Sequence, residues 1–438
     1  MKRPALLTIP ALLAAFVLPD APLSARQAEP EPMASERTAE QSPLEMRAEQ
    51  VVGLVNGDIP AAEVFSDAML AEVSPEQFAA VSRQLVSQFG PAIAVQGLTP
   101  RTGTQGIIEL RMERAIARGP LTIDPAEDNR ISGLLFREFE PVDDSLDKIR
   151  ADLEALPGHI GAWFGPVKGN APVLEMNGEQ PFAIGSSFKL YVLAALAEEI
   201  RQGKRQWDDV VELDTKSFPS GKLQDWPLGA PLTLHTLASL MISISDNTAT
   251  DQLIDVLGRE RVAEVMRASD HAAPGLNDPF LKTRELFLLK GGDPQRLADY
   301  RAAGPEERLA ILSGTAGDDL DLEALAATFN GKPIALDVEW LASAEDLRNL
   351  FVYMMMKGDP RVFDVLSITP GLPDAVADKW QRVAFKGGSE PGVLHLTWLL
   401  QDEGGEWHLL NLAWNNRQEP VDQDTLTLIA QRIASLGR

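Results

Sequence analysis

A hydroxyl with an amine one helical turn away can act as nucleophile and base. Ser186 and Lys189 have that spacing in Ala183-Ile184-Gly185-Ser186-Ser187-Phe188-Lys189. Leu190, Val192, Leu193 and Leu196 give the following stretch a buried helical face, so the serine stands at a helix N-terminus. Backbone N–H groups there favour developing negative charge. Ser-x-x-Lys alone is weak: Ser145-Leu146-Asp147-Lys148 matches too, on a helix face that reads as solvated. What raises Ser186 is company. Ser245-Asp246-Asn247 follows Leu234–Ile244, an apolar helix capped by Thr233, and leads into a helix over Thr248–Leu257. Polar side chains at such a junction can point into a cleft. The third element is Lys386-Gly387-Gly388-Ser389, ahead of the strand Val393–Gln401. Its glycines let a substrate lie against the strand edge, and its lysine supplies positive charge.

The elements that must position these residues read as α+β. A helix from Ser145 to about Ala155 is ended by Pro157-Gly158, and His159–Phe164 with Val173–Asn177 reads as a hairpin. Val393–Gln401 and His408–Trp414 alternate around Glu403-Gly404-Gly405-Glu406 as a second hairpin, and Asp422–Leu436 is an amphipathic helix. This order predicts an antiparallel sheet with strands from both ends of the domain, beside a helical subdomain. Upstream, residues 44–140 read as a small α+β unit: helices Met46–Val55, Ala61–Val73 and Pro75–Phe89, then strands Ala92–Gln96, Gly106–Arg111 and Ile131–Phe136. It resembles the steroid-isomerase-like (NTF2-like) cone. Pro141-Val142-Asp143-Asp144 reads as the hinge between this accessory domain and a domain over 145–438.

Met1-Lys2-Arg3, an apolar run to Leu18 and Ala21-Pro22-Leu23-Ser24-Ala25 form a signal peptide over 1–25, which implies a secreted or periplasmic protein. Residues 26–43, rich in Glu, Pro, Ser and Ala, read as a flexible linker. A net charge of −24 argues against a nucleic-acid partner. With no cysteine there is no lipidated anchor, thiolate nucleophile or Cys-ligated metal, and the five histidines lack His-Glu-x-x-His spacing. No metal or organic cofactor is implied. His395 and the other histidines read as structural, and Trp226 as a packing residue.

In their order and intervals the three motifs are similar to those of class A β-lactamases and penicillin-binding proteins, over roughly residues 145–438. With the signal and the extra N-terminal domain, the arrangement resembles two-domain β-lactamase-like proteins of clavulanic-acid gene clusters. The resemblance implies a β-lactamase/transpeptidase-like fold with Ser186 as acylated nucleophile and Lys189 as its base or proton relay. It further implies that Ser245 passes a proton to the leaving nitrogen, Asn247 orients substrate and Lys386 binds its carboxylate. Gly388 and Ser389 complete the substrate strand, and the backbone N–H groups of Ser186 and Ser389 form the oxyanion hole. Glu285, 99 residues beyond Ser186, falls near the family's interval for the deacylating carboxylate. Two positions depart from the pattern: the third motif reads Lys-Gly-Gly, and Leu289 stands where the family has an Asn that holds the hydrolytic water.

The reading is an exported serine hydrolase that hydrolyses β-lactam amides, as in antibiotic resistance or β-lactam catabolism, through an acyl-enzyme. The alternatives are an esterase or D,D-peptidase of the same fold, and a non-enzymatic protein whose cleft traps a ligand. The partner is a small molecule; the oligomeric state is left open.

Overall fold

The computed structural model describes residues 41–436 except 170, 316, 319–328 and 330. The signal peptide and nearly all of the linker lie outside the described residues.

Ser42 begins the first helix, Pro43–Asn56, by accepting from the Glu45 N–H while the Glu45 carboxylate accepts from its own N–H. The helix expected over Ala61–Val73 is broken in two, Ala61–Val64 and Asp67–Glu72. The break has a tertiary cause: Phe65 is fully buried and Ser66 N donates to Ile131 O, which ties this turn to a strand. After Pro75–Phe89 come five antiparallel strands where three were expected. Ala115–Asp124, which carries Gly119-Pro120, pairs with three of the others. Leu44, Val51, Leu54, Phe89, Ile108 and Leu121 are in the core between these helices and the sheet.

From Leu146–Glu154 onward the second sheet forms. Its order is Arg382–Glu390, Val393–Gln401, Trp407–Asn415, His159–Pro166, Leu174–Met176, all antiparallel. Strands from both ends of this region therefore meet, as the sequence predicts. Val393–Gln401 is buried on both faces because helices cover each side, which explains its nearly continuous apolar run. One side packs on Leu146–Glu154 and Gln423–Leu436 through Ile149, Leu153, Leu426, Ile429 and Ile433. The other packs on the helical region, whose centre is Lys189–Arg201, buried all round except at its last residue. A helix apolar on every face belongs inside the protein. Leu428 also packs against the N-terminal core, and the chain from Ser42 on forms one compact unit. Among the described residues no helix is long and apolar enough to cross a membrane.

Candidate active site

Gly185–Phe188 forms a tight turn that feeds the buried helix Lys189–Arg201. Ser186 stands half-buried on that turn, between fully buried neighbours. The turn is pressed against the strand Arg382–Glu390. A side chain at Gly388 would begin 2.4 Å from Ser186 N and 2.1 Å from Ile184 O, so only glycine fits. Gly185, at φ +47°, in turn sits 3.1 Å, measured from its would-be Cβ, from Ser389 N. The N–H groups of Ser186 and Ser389 thus belong to backbones in close contact.

Behind Ser186, Lys189 is wholly buried, and its amine reaches Ser245 O at 2.6 Å, Ser245 Oγ at 3.0 Å and Asn247 Oδ1 at 2.7 Å. From the facing strand the Lys386 amine donates to the same Ser245 Oγ, also at 3.0 Å. One hydroxyl therefore bridges two buried amines. Loss of water lowers the affinity of both for a proton. Lys386 is brought down to about 7 by burial, and Lys189 falls well below the ordinary lysine value through burial and then the charge of Lys386. A lysine so placed can be a neutral base at neutral pH.

Ser245 itself is held at φ +56°, an uncommon conformation for a serine, between the helices Leu234–Ser243 and Asn247–Leu257. The neighbouring Asp246 fixes that turn. Its carboxylate accepts from the Ala249, Lys222 and Leu223 N–H groups, capping the second helix and holding the 220–223 loop beside it. Sequence reading passed over Asp246 as a positioning residue, although its place just ahead of a helix was the available signal. Asn247 donates to Phe218 O at 3.1 Å, so both ends of its amide have partners.

These side chains line a cleft of about 390 Å³, with Ser186, Ser245, Asn247, Lys386, Gly388 and Ser389 on its wall and Lys189 directly behind. Glu285 is not there. It lies on the opposite side of the Thr283–Gly291 helix start, where Arg259 grips its carboxylate at 2.6 and 3.1 Å and the Lys282 N–H donates to it. The expectation that Glu285 is the deacylating base is corrected: the carboxylate is an N-terminal helix cap and ion-pair partner. From this segment the cleft receives Thr283, Leu286 and Phe287. Thr283 is held there by Asp251, which is buried and accepts from the Thr283 and Arg284 N–H groups. Trp226 is also corrected: it is exposed and packs into no core.

Two buried polar groups surround the site. Under the turn, Ser187 Oγ lies 2.8 Å from His395 Nδ1, and the Asn411 amide reaches His395 Nε2 at 2.9 Å. Burial, and then Lys386, push His395 down to about 3, so it stays neutral. Further along, Lys290 contacts Glu339 and lies 2.7 Å from Glu390 Oε2, all three buried or nearly so. Neither cluster was legible as a site. Asp402, Glu406 and His408, on a hairpin turn, are the one grouping among the described residues gathered tightly enough to hold a metal, and none lines the cleft.

A model of the Beta-lactamase enzyme family matches residues 145–335. None of the curated proteins matches the chain. Among solved structures, a β-lactamase from Sphaerobacter thermophilus is 20% identical, with 67% of this chain and 97% of that one covered and a TM-score of 0.47. PBP-A is 17% identical over 66% of this chain and 93% of its own, with a TM-score of 0.46. A PBP-A mutant solved as an acyl-enzyme complex with penicillin G is 17% identical over 66% and 94%, with a TM-score of 0.45. Residues 145–335, which hold Ser186, Lys189, Ser245 and Asn247, are thus similar to the β-lactamase enzyme family.

Proposed function

We propose that the protein is an exported serine hydrolase that is acylated at Ser186 by β-lactams or closely related cyclic amides. The observation that carries this reading is the Ser245 hydroxyl at 3.0 Å from both Lys189 and Lys386, on the wall of the cleft that holds Ser186. As Ser186 Oγ adds to the substrate carbonyl, its proton passes to neutral Lys189. The new oxyanion lies against the N–H groups of Ser186 and Ser389. When the C–N bond breaks, the proton returns through Ser245 to the nitrogen, and the acyl group stays on Ser186. Protonated Lys386 pairs with the substrate's carboxylate. Export rests on the charged, apolar and small-residue sequence of residues 1–25.

Incubation with penicillin G followed by intact-mass measurement tests this. A stoichiometric adduct is expected on the native chain and none on Ser186→Ala, while Lys189→Met slows its formation by about 10²–10⁴-fold. Absence of any adduct on the native chain overturns the β-lactam reading. A second reading, an esterase or D,D-peptidase, is favoured by the Thr283 and Phe287 side chains where a carboxylate was expected. It predicts turnover of p-nitrophenyl acetate with a slow or absent response to penicillin G.

A further inference from the structure

An acyl-enzyme needs a base to activate the water that clears it, and with Glu285 turned to Arg259 the base must come from elsewhere. Among the described residues one carboxylate lines the cleft: Glu390. It ends the strand Arg382–Glu390, and strand alternation puts it on the same face as Lys386 and Gly388. Gly388 is the residue whose absent side chain lets the strand touch Ser186 N. Two residues of strand rise place Glu390 Cα about 7 Å beyond Gly388 Cα on the cleft wall.

The carboxylate is held by design of the fold. Lys290, from the end of the Thr283–Gly291 helix, binds Glu390 Oε2 at 2.7 Å and Glu339 from the segment before Leu341. One cation thus faces two carboxyl groups. Burial and the charge of Glu390 raise the Glu339 carboxyl well above the usual range. Glu339 is thereby biased toward its protonated form, while Lys290 holds Glu390 Oε2 at 2.7 Å. A nearly buried carboxylate bound to a lysine on the wall of the cleft that holds Ser186 is a costly arrangement, of the kind found at sites that move protons.

We infer that Glu390 is the general base that activates the water hydrolysing the Ser186 acyl-enzyme, an inference that rests on the acylation reading above. Glu390 takes one proton from water as the water oxygen bonds to the acyl carbon. The C–Oγ bond then breaks, and Oγ takes up the proton that Glu390 gives back. The products are free serine, the ionised Glu390 and the released acid.

The test uses the full chain as wild type, Glu390→Gln, Glu390→Asp and Glu285→Gln, each mixed with penicillin G and, separately, p-nitrophenyl acetate. Adduct formation and loss are followed by intact mass. Glu390→Gln should form adduct at the wild-type rate and keep it about 100-fold longer or more. Glu390→Asp preserves the charge beside Lys290 but withdraws the carboxylate, so it should fall between; it decides the matter if the glutamine variant does not fold. Glu285→Gln should match wild type. An adduct that Glu390→Gln and Glu390→Asp lose at the wild-type rate, or that wild type keeps as long as they do, overturns the role of Glu390 alone. No adduct on wild type with either compound overturns the acylation reading, and this inference with it.

Discussion

At the scale of single residues the site depends on which of its two amines holds a proton. Lys386 is brought down to about 7 because burial removes its hydration, and on the proposed function it pairs with a substrate carboxylate as the cation it is below that pH. Acylation by penicillin G, which bears a carboxylate, is therefore expected to fall by up to about tenfold per unit as pH rises above 7. Acylation by p-nitrophenyl acetate, which has none, should not fall; stopped-flow rates from pH 6 to 9 separate the two. The stability consequence has the opposite sense. The unfolded lysine titrates near 10.4, so unfolding takes up a proton between about 7 and about 10, and the contribution of Lys386 to stability grows with pH across that window. Ser186, Lys189, Ser245 and Lys386 were legible because each lies in a short motif whose chemistry depends on residue type. Glu285 was misplaced because an interval along the chain says nothing about which side of a helix a residue occupies. Its partner Arg259 is 26 residues away, and only the packed fold brings them together.

At the scale of elements, the nucleophile turn and the third-motif strand behave as a lock in which backbone touches backbone. Gly388→Ala should force the Gly185–Phe188 turn to shift, because the added methyl would meet main-chain atoms that cannot swing aside. We expect penicillin G acylation to drop by at least about 10²-fold, the scale seen when an oxyanion donor is lost, while circular dichroism shows a folded protein. Behind the turn, His395 supports Ser187 from the next strand, where Gly388 and His395 are direct neighbours in register. The apolar strands and the capped helices were readable from periodicity and cap residues. Ala115–Asp124 was missed because Gly119-Pro120 imitates a turn, and the split at Phe65 because its cause is a contact with Ile131. Lys290, Glu339 and Glu390 come from three separate stretches, so no local pattern could announce them.

At the scale of the whole molecule, Arg432 on the C-terminal helix fastens the connector read from sequence as a hinge. Its guanidinium takes both oxygens of Asp144, at 2.7 and 2.9 Å, and Asp152 at 2.7 Å, with Asp144 almost wholly buried. Arg432→Met leaves that carboxylate buried without its cation and should cost about 3–5 kcal/mol in urea unfolding. The sheet that backs the cleft takes its edge from residues 159–176 and its remaining strands from residues 382–415. A chain leaving the ribosome therefore carries Ser186 for some two hundred residues before Lys386 exists to meet it. Such long-range closure is slow. No nascent intermediate holds both amines of the site, so on the proposed function reactivity toward acylating agents arrives only with the last strands and never on the partly made polypeptide.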